Sequence, residues 1–268
     1  MKILILGDVV GPPGRDVIKQ VLPQIISDNK INFTIINGEN AADDGKGLTQ
    51  KIANELFSNG ADVITSGNHI YDKKETIDFI SKEKRLLRPA NLSEGSPGNG
   101  YGIYFTKDKA FKVGVINLMG NVFMRKTESV FESIKKLKEE IKLKKNVDFL
   151  VVDVHAEITS EKMALGHYLD GHSTCVVGTH THVPTADTRI LENGTAYQTD
   201  IGMCGNYNSV IGMNKENSIK KFFKDKAAID HFPAEGEGTL SGIIIDANPE
   251  TGLTKKISRL IKGGSLIK

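Results

Sequence analysis

The sequence predicts an α/β protein built around a mostly parallel sheet. Three observations point there. Short β-branched runs alternate with helical patterns through the first third, as in successive βαβ units. Five apolar runs end in, or just before, residues that can hold a metal. The last third turns to shorter strands, which suggests added antiparallel strands and a second sheet.

In chain order, residues 3–6 form the first strand. Residues 16–27 read as a helix whose apolar face is Val17, Ile18, Val21, Leu22, Ile25 and Ile26, with Pro23 placed to kink it. Residues 33–36 are a strand and residues 49–58 a helix, with Thr49 as N-cap. A strand at 63–65 precedes a helix at 73–80. Arg88-Pro89-Ala90-Asn91 and the Gly-rich stretch 95–100 are loop chemistry. Strands follow at 102–105 and 113–116. Residues 126–144 read as one long helix whose many lysines form a solvated face rather than a nucleic-acid patch. Strands are expected at 149–152, 176–177, 186–191, 195–198 and 240–245, and a helix at 216–224.

The bulk numbers fit this reading. A chain of 268 residues suits a single domain, 1–268, with ample core. It is 39% hydrophobic and 25% charged, with a net charge of +2 from 35 basic and 33 acidic residues. That balance argues against a broad nucleic-acid surface and leaves room for a small anionic substrate. Two cysteines are too few for a disulfide framework, so a reduced, cytoplasmic compartment is expected. Cys175 reads as a buried small hydrophobe. Cys204 sits in a Gly-rich loop, open to exposure. The N-terminus reads as a strand rather than a signal peptide, and no stretch approaches the length of a membrane span. No coiled-coil pattern marks an interface, although the late strands could supply one for a homo-oligomer.

The five apolar runs carry the chemistry. They lead into Asp8; into Gly38-Glu39-Asn40; into Gly67-Asn68-His69; into Asp153-Val154-His155; and into Gly178-Thr179-His180-Thr181-His182. Parallel strands deliver their carboxyl ends to one edge of a sheet, where ligands bind. Asp8, Glu39, Asn68, His155, His180 and His182 could therefore converge. Read alone, each has an ordinary use: Asp8 as a turn or cap residue, Glu39-Asn40 as a helix-capping loop, His155 as a hydrogen-bonded core residue. The recurrence at five strand ends is what argues for a shared site. His180 and His182, two apart on extended chain, would face the same side. Carboxylate, amide oxygen and imidazole suit Mn, Fe, Zn or Co. The candidates are too many for one tetrahedral ion. Two ions about 3.5–4 Å apart, bridged by one carboxylate, would use them well.

The order of these motifs resembles the calcineurin-like metallophosphoesterases, and among them the bacterial YmdB-type phosphodiesterases. Val10 stands where the superfamily's first His would be, and Glu39 replaces its bridging Asp, as in that branch. The resemblance implies a four-layer αββα sandwich and a di-iron or di-manganese centre. It also implies phosphodiesterase activity, including on 2′,3′-cyclic nucleotides, by attack of a metal-bridging hydroxide. On this resemblance Asp8, Glu39, Asn40 and His182 hold one metal, while Glu39, Asn68, His155 and His180 hold the other. His69 stands outside as proton donor, and no substrate-binding residue is assigned. A phosphomonoesterase or nucleotidase, and a non-catalytic regulator binding a cyclic nucleotide or RNA, are the competing functions. Elsewhere, Arg15 opens a helix, Asp153 serves the strand or supports a ligand, Asp43 and Asp44 are solvated, and His167 and His172 lie at the surface. His231 has no neighbours of interest. Asn91 and Asp200 are candidate pocket residues.

Overall fold

The computed structural model describes residues 1–266. In chain order the elements are β1 (Lys2–Leu6), β2 (Asp8–Val9), α1 (Gly11–Asn29), β3 (Phe33–Asn37), α2 (Gln50–Ser58), β4 (Val63–Thr65), α3 (Lys74–Ile80), β5 (Tyr101–Phe105), β6 (Lys112–Met119), α4 (Val130–Glu140), β7 (Phe149–His155), α5 (Thr159–Tyr168), β8 (Cys175–Thr179), β9 (Arg189–Ile190), β10 (Ala196–Gln198), β11 (Met203–Cys204), α6 (Lys215–Phe222), β12 (Leu240–Ala247) and β13 (Thr254–Lys262).

Two main sheets form, in the orders β13-β12-β1-β3-β4 and β5-β6-β7-β8-β10-β9, beside a small β2-β11 pair. Strand alternation sorts the core into layers. Ile3 and Ile5 of β1 face inward and meet Val113, Val115, Phe149 and Val151 of the second sheet. Leu4 and Leu6 face outward under Val17, Ile18 and Leu22 of α1 and Ile52 of α2. On the far side, Val152 and Val154 pack beneath Ile134 of α4 and Leu165 of α5. The result is the four-layer αββα sandwich.

Four expectations are corrected. The second sheet is made mostly by the middle of the chain, with β6, β7, β8 and β10 running parallel, and the last third adds only the short β10 and β9 to its edge. The late strands β12 and β13 extend the first sheet antiparallel to β1. The long helix expected over 126–144 is only Val130–Glu140. Ser129 caps it through the Glu132 N–H, and it stops where Ile141 turns inward to bury and Asn146 Oδ1 accepts from the Lys142 N–H. The strand expected at 186–191 shrinks to Arg189–Ile190, because Thr185 and Asp187 spend their side chains on Thr199 and the Asp200 backbone. Helix α1 starts earlier than expected, at Gly11. Pro12 and Pro13 sit in its first turn, where missing N–H groups cost nothing.

Candidate metal centre

The carboxyl ends of β1, β3, β4, β7 and β8 deliver their following residues to one place. His155 closes β7 with a fully buried side chain. Its Nε2 is the meeting point of three other groups: Glu39 Oε1 at 2.9 Å, His180 Nδ1 at 3.1 Å and Asn68 Oδ1 at 3.3 Å. Glu39, His155 and His180 each offer a ligand atom within 4.8 Å of the others, a spacing one cation can bridge. Gly67 makes the approach sterically feasible, since a Cβ there would collide with both Glu39 Oε2 and His155 Nε2.

The electrostatics show what the cluster favours. Burial works against charge on Glu39, yet the His155 imidazole beside it pulls the carboxyl down to about 2. Burial also opposes charge on His155, and Glu39 followed by Asp8 and Asp153 overcomes it, lifting His155 to about 9. His180 is driven the other way, to about 3, by burial and by the charge on His155. One positive charge is thus wanted among these groups, the place a cation would take.

Beside this triad lies a second group of acceptors. Asp8 Oδ2 accepts from the His180 N–H at 3.1 Å and its Oδ1 is 3.6 Å from His155 Nδ1. Asp8 Oδ1 has no hydrogen-bond partner although it is buried. Burial lifts this carboxyl to about 6, with His182 and His155 opposing. Asn40 Nδ2 donates to the Gly45 carbonyl at 2.9 Å, while its buried Oδ1 is also unpartnered. His182 Nδ1 lies 2.7 Å from the Ile211 carbonyl, which fixes the ring and leaves Nε2 free of that contact. A buried acceptor without a donor costs free energy. Two such oxygens, with an oriented imidazole, fit a hard or borderline cation.

Further residues hold these side chains in place. His155 Nδ1 lies 2.9 Å from Thr179 Oγ1, which in turn donates to Asp153 Oδ1 at 2.8 Å. Asp153 Oδ2 accepts from Asn37 Nδ2 and Thr65 Oγ1, so one buried carboxylate ties β3, β4, β7 and β8 together. Glu157, which sequence reasoning missed, lies 3.0 Å from His180 Nε2 and completes a carboxylate–imidazole pair. Its only signal was its place two residues after His155.

The segment carrying His180 and His182 is not extended, contrary to expectation. Both residues have positive φ, 94° and 66°, because the chain turns sharply once β8 ends at Thr179. The turn is pinned by Asp200. Its Oδ2 accepts from Thr181 N, Thr181 Oγ1 and the buried ammonium of Lys162, the last at 2.8 Å, and its Oδ1 accepts from Gly202 N. Asp200 is therefore a support and not a pocket residue. Asn91 is likewise internal, bonding the Met119 backbone on both sides of its amide.

His69 lines the cavity beside the cluster. Its backbone N–H donates to Glu39 Oε2, and its Nδ1 lies 2.6 Å from Asp72 Oδ2, while Arg125 donates to Asp72 Oδ1. The cavity, of about 410 Å³, is lined by Glu39, Asn40, His69, His180 and His182, and then by residues the sequence had not singled out. Val210, Ile211, Met213, Lys221 and Phe222 come from the 206–233 segment, with Lys46 from the loop after Asn40. His231 also lines it, which corrects the reading that it has no neighbours of interest. Arg15 lies within α1 and binds the Ala41 carbonyl and Asp43, so it braces that loop; Asp44 pairs with Lys73. Cys204 is buried in β11, and burial pushes its thiol up to about 12. Val10 packs with Met203 and Met213 in a small apolar cluster. His167 and His172 are exposed.

The chain is similar along its whole length to known proteins. The chain is 49% identical over 261 residues to the 2′,3′-cyclic-nucleotide 2′-phosphodiesterase of Bacillus subtilis, covering 97% of each sequence. It superposes on the crystal structure of a novel phosphatase from Mycoplasma pneumoniae with a TM-score of 0.90 and 35% identity, covering 98% of this chain and 93% of the other. A hypothetical protein from Thermus thermophilus gives the same TM-score at 37% identity, covering 99% and 100%. Residues 4–260 match the description of YmdB-like proteins, and the chain belongs to that family.

Proposed function

We propose that this protein is a two-metal phosphodiesterase that opens 2′,3′-cyclic nucleotides. The observation that carries this reading is the convergence on His155 Nε2 of Glu39, His180 and Asn68, beside the unpartnered buried oxygens of Asp8 and Asn40. In this reading Asp8, Glu39, Asn40 and His182 hold one ion; Glu39, Asn68, His155 and His180 hold the other, with Glu39 shared. The mixed oxygen and nitrogen set admits several first-row metals, and the family resemblance favours iron or manganese among them. Two such ions, when bound, supply positive charge to the phosphoryl oxygens and lower the pKa of a water that becomes the nucleophile.

The chain's own residues do the rest. Thr179 and Glu157 hold the His155 and His180 rings so that their other nitrogens face the cluster. Asp72 holds His69 at Nδ1, leaving Nε2 to protonate the departing 2′ oxygen. Water adds at phosphorus, the P–O2′ bond breaks and a nucleoside 3′-phosphate leaves. The relative in Bacillus subtilis, named for this reaction, supports the choice of substrate. A monoesterase would use the same cluster, so the test sets two substrates side by side. Protein loaded with manganese or iron should hydrolyse bis-p-nitrophenyl phosphate and adenosine 2′,3′-cyclic phosphate well above p-nitrophenyl phosphate, and lose that activity on chelation. Faster turnover of the monoester would reverse the assignment.

A further inference from the structure

The cavity holds more positive charge than one phosphodiester needs. Besides the ligand cluster it is lined by Lys46, Lys221 and His231, and Glu39 is the one carboxylate among its described lining residues. Lys46 makes no ion pair among the described residues. Lys221 reaches only Asp230, at 3.9 Å, and that carboxylate is fully exposed. Both lysines act on His231: burial lowers its pKa, and Lys221 and Lys46 lower it further against the smaller opposing effect of Asp230. Like charges gathered on one small concave surface repel unless an anion sits between them.

The same part of the cavity is apolar where a soluble protein has little reason to be. Phe222, on the last turn of α6, is 81% exposed, and Ile211 is 52% exposed, yet both face the cavity with Met213. An aromatic face left open beside cationic groups is the arrangement that accepts a nucleobase with its phosphate nearby.

We infer that Lys46, Lys221 and His231, with Phe222 beside them, form a subsite for a second phosphate on the 5′ side of the nucleoside whose 2′,3′-cyclic phosphate is opened. The preferred substrate is then the cyclic-phosphate end of an RNA fragment rather than a free cyclic mononucleotide. A 5′-phosphomonoester and an internucleotide diester offer the same anionic oxygens, and the test separates them. The inference rests on the diesterase reading above.

The experiment compares kcat/KM for adenosine 2′,3′-cyclic phosphate, its 5′-phosphorylated form, and the dinucleotide ApA ending in a 2′,3′-cyclic phosphate. The metal-loaded protein should favour one or both phosphate-bearing substrates by about tenfold or more, with the dinucleotide arm identifying an RNA end. In Lys46→Ala and Lys221→Ala the ratio to the simple substrate should fall towards one. The slope of log kcat/KM against log salt should also become shallower by about one. Equal kcat/KM for all three substrates, or a preference that survives both substitutions, overturns the subsite while leaving the diesterase intact. If none of the three is hydrolysed, the diesterase reading fails first and the subsite falls with it.

Discussion

His180 and Phe222 line one cavity but are held there by opposite means. His180 follows a buried parallel strand and is fixed from three sides, by His155, by Glu157 and by the Asp8 carboxylate on its N–H. Phe222 ends a short helix of the 206–233 segment and stands 81% exposed. The difference separates two tasks. Groups that must meet within an ångström or so sit at strand ends, where ladder hydrogen bonds set the backbone and supporting side chains set the rings. Groups that read the remainder of a substrate sit on a segment that can change shape or sequence without disturbing the sheets.

Substitutions in each region can break or sharpen this contrast. The largest effect is expected at His69. His69→Ala should lower kcat by about 10²–10⁴-fold while metal content, measured by elemental analysis, stays near wild type. Loss of metal along with turnover would move His69 into the metal cluster itself. Next comes Lys162, whose ammonium is buried against Asp200 under the His180–His182 turn. Lys162→Met should destabilise the fold by about 3–5 kcal/mol in denaturant titration, because it leaves Asp200 charged, buried and short of a partner. A stability near wild type would show that Thr181 and Gly202 alone can satisfy that carboxylate. Thr179→Val removes the contact on His155 Nδ1 and should weaken metal binding by about 10–100-fold, read by competition with a chelator. The smallest change in stability is expected at Phe222. Phe222→Ala should move it by no more than about 0.5 kcal/mol and raise KM for a nucleotide far more than for bis-p-nitrophenyl phosphate. If the fold weakened instead, Phe222 would belong with the rigid region.

The same contrast explains what could be read from the chain alone. Asp8, Glu39, Asn68, His155 and His180 could be placed because each follows a short apolar run, and parallel runs end on a common edge. The four layers came from the family resemblance, and the continuous apolar run Ile3-Leu4-Ile5-Leu6 fits them, since both faces of β1 need cover. The origin of the second sheet was not legible, because apolar runs show where strands are and not which strands pair. Glu157 and Thr179 were passed over because their value lies in which ring nitrogen they touch, a matter of local turn geometry. Lys162 looks like any helical lysine, and only the return of residues 196–200 beside β8 brings Asp200 to it. Lys221 and Phe222 fall in the helix expected at 216–224, but nothing in the sequence says that they meet Met213 and His231. Their meeting depends on loop contacts such as Asn217 with the Ile229 and Asp230 carbonyls.

Ile211 belongs to both regions at once. A β-branched residue with φ of 49°, in a conformation it rarely adopts, it offers its carbonyl to His182 and its side chain to the cavity. Anyone retuning selectivity by grafting a relative's loop across residues 206–213 would unavoidably reset the angle of an imidazole on the other side of the same peptide. If His182 holds metal as proposed, changes of taste in this enzyme are mechanically geared to its hold on metal, and redesign should begin at Phe222 and Lys221, which make no hydrogen bond to that histidine among the described residues.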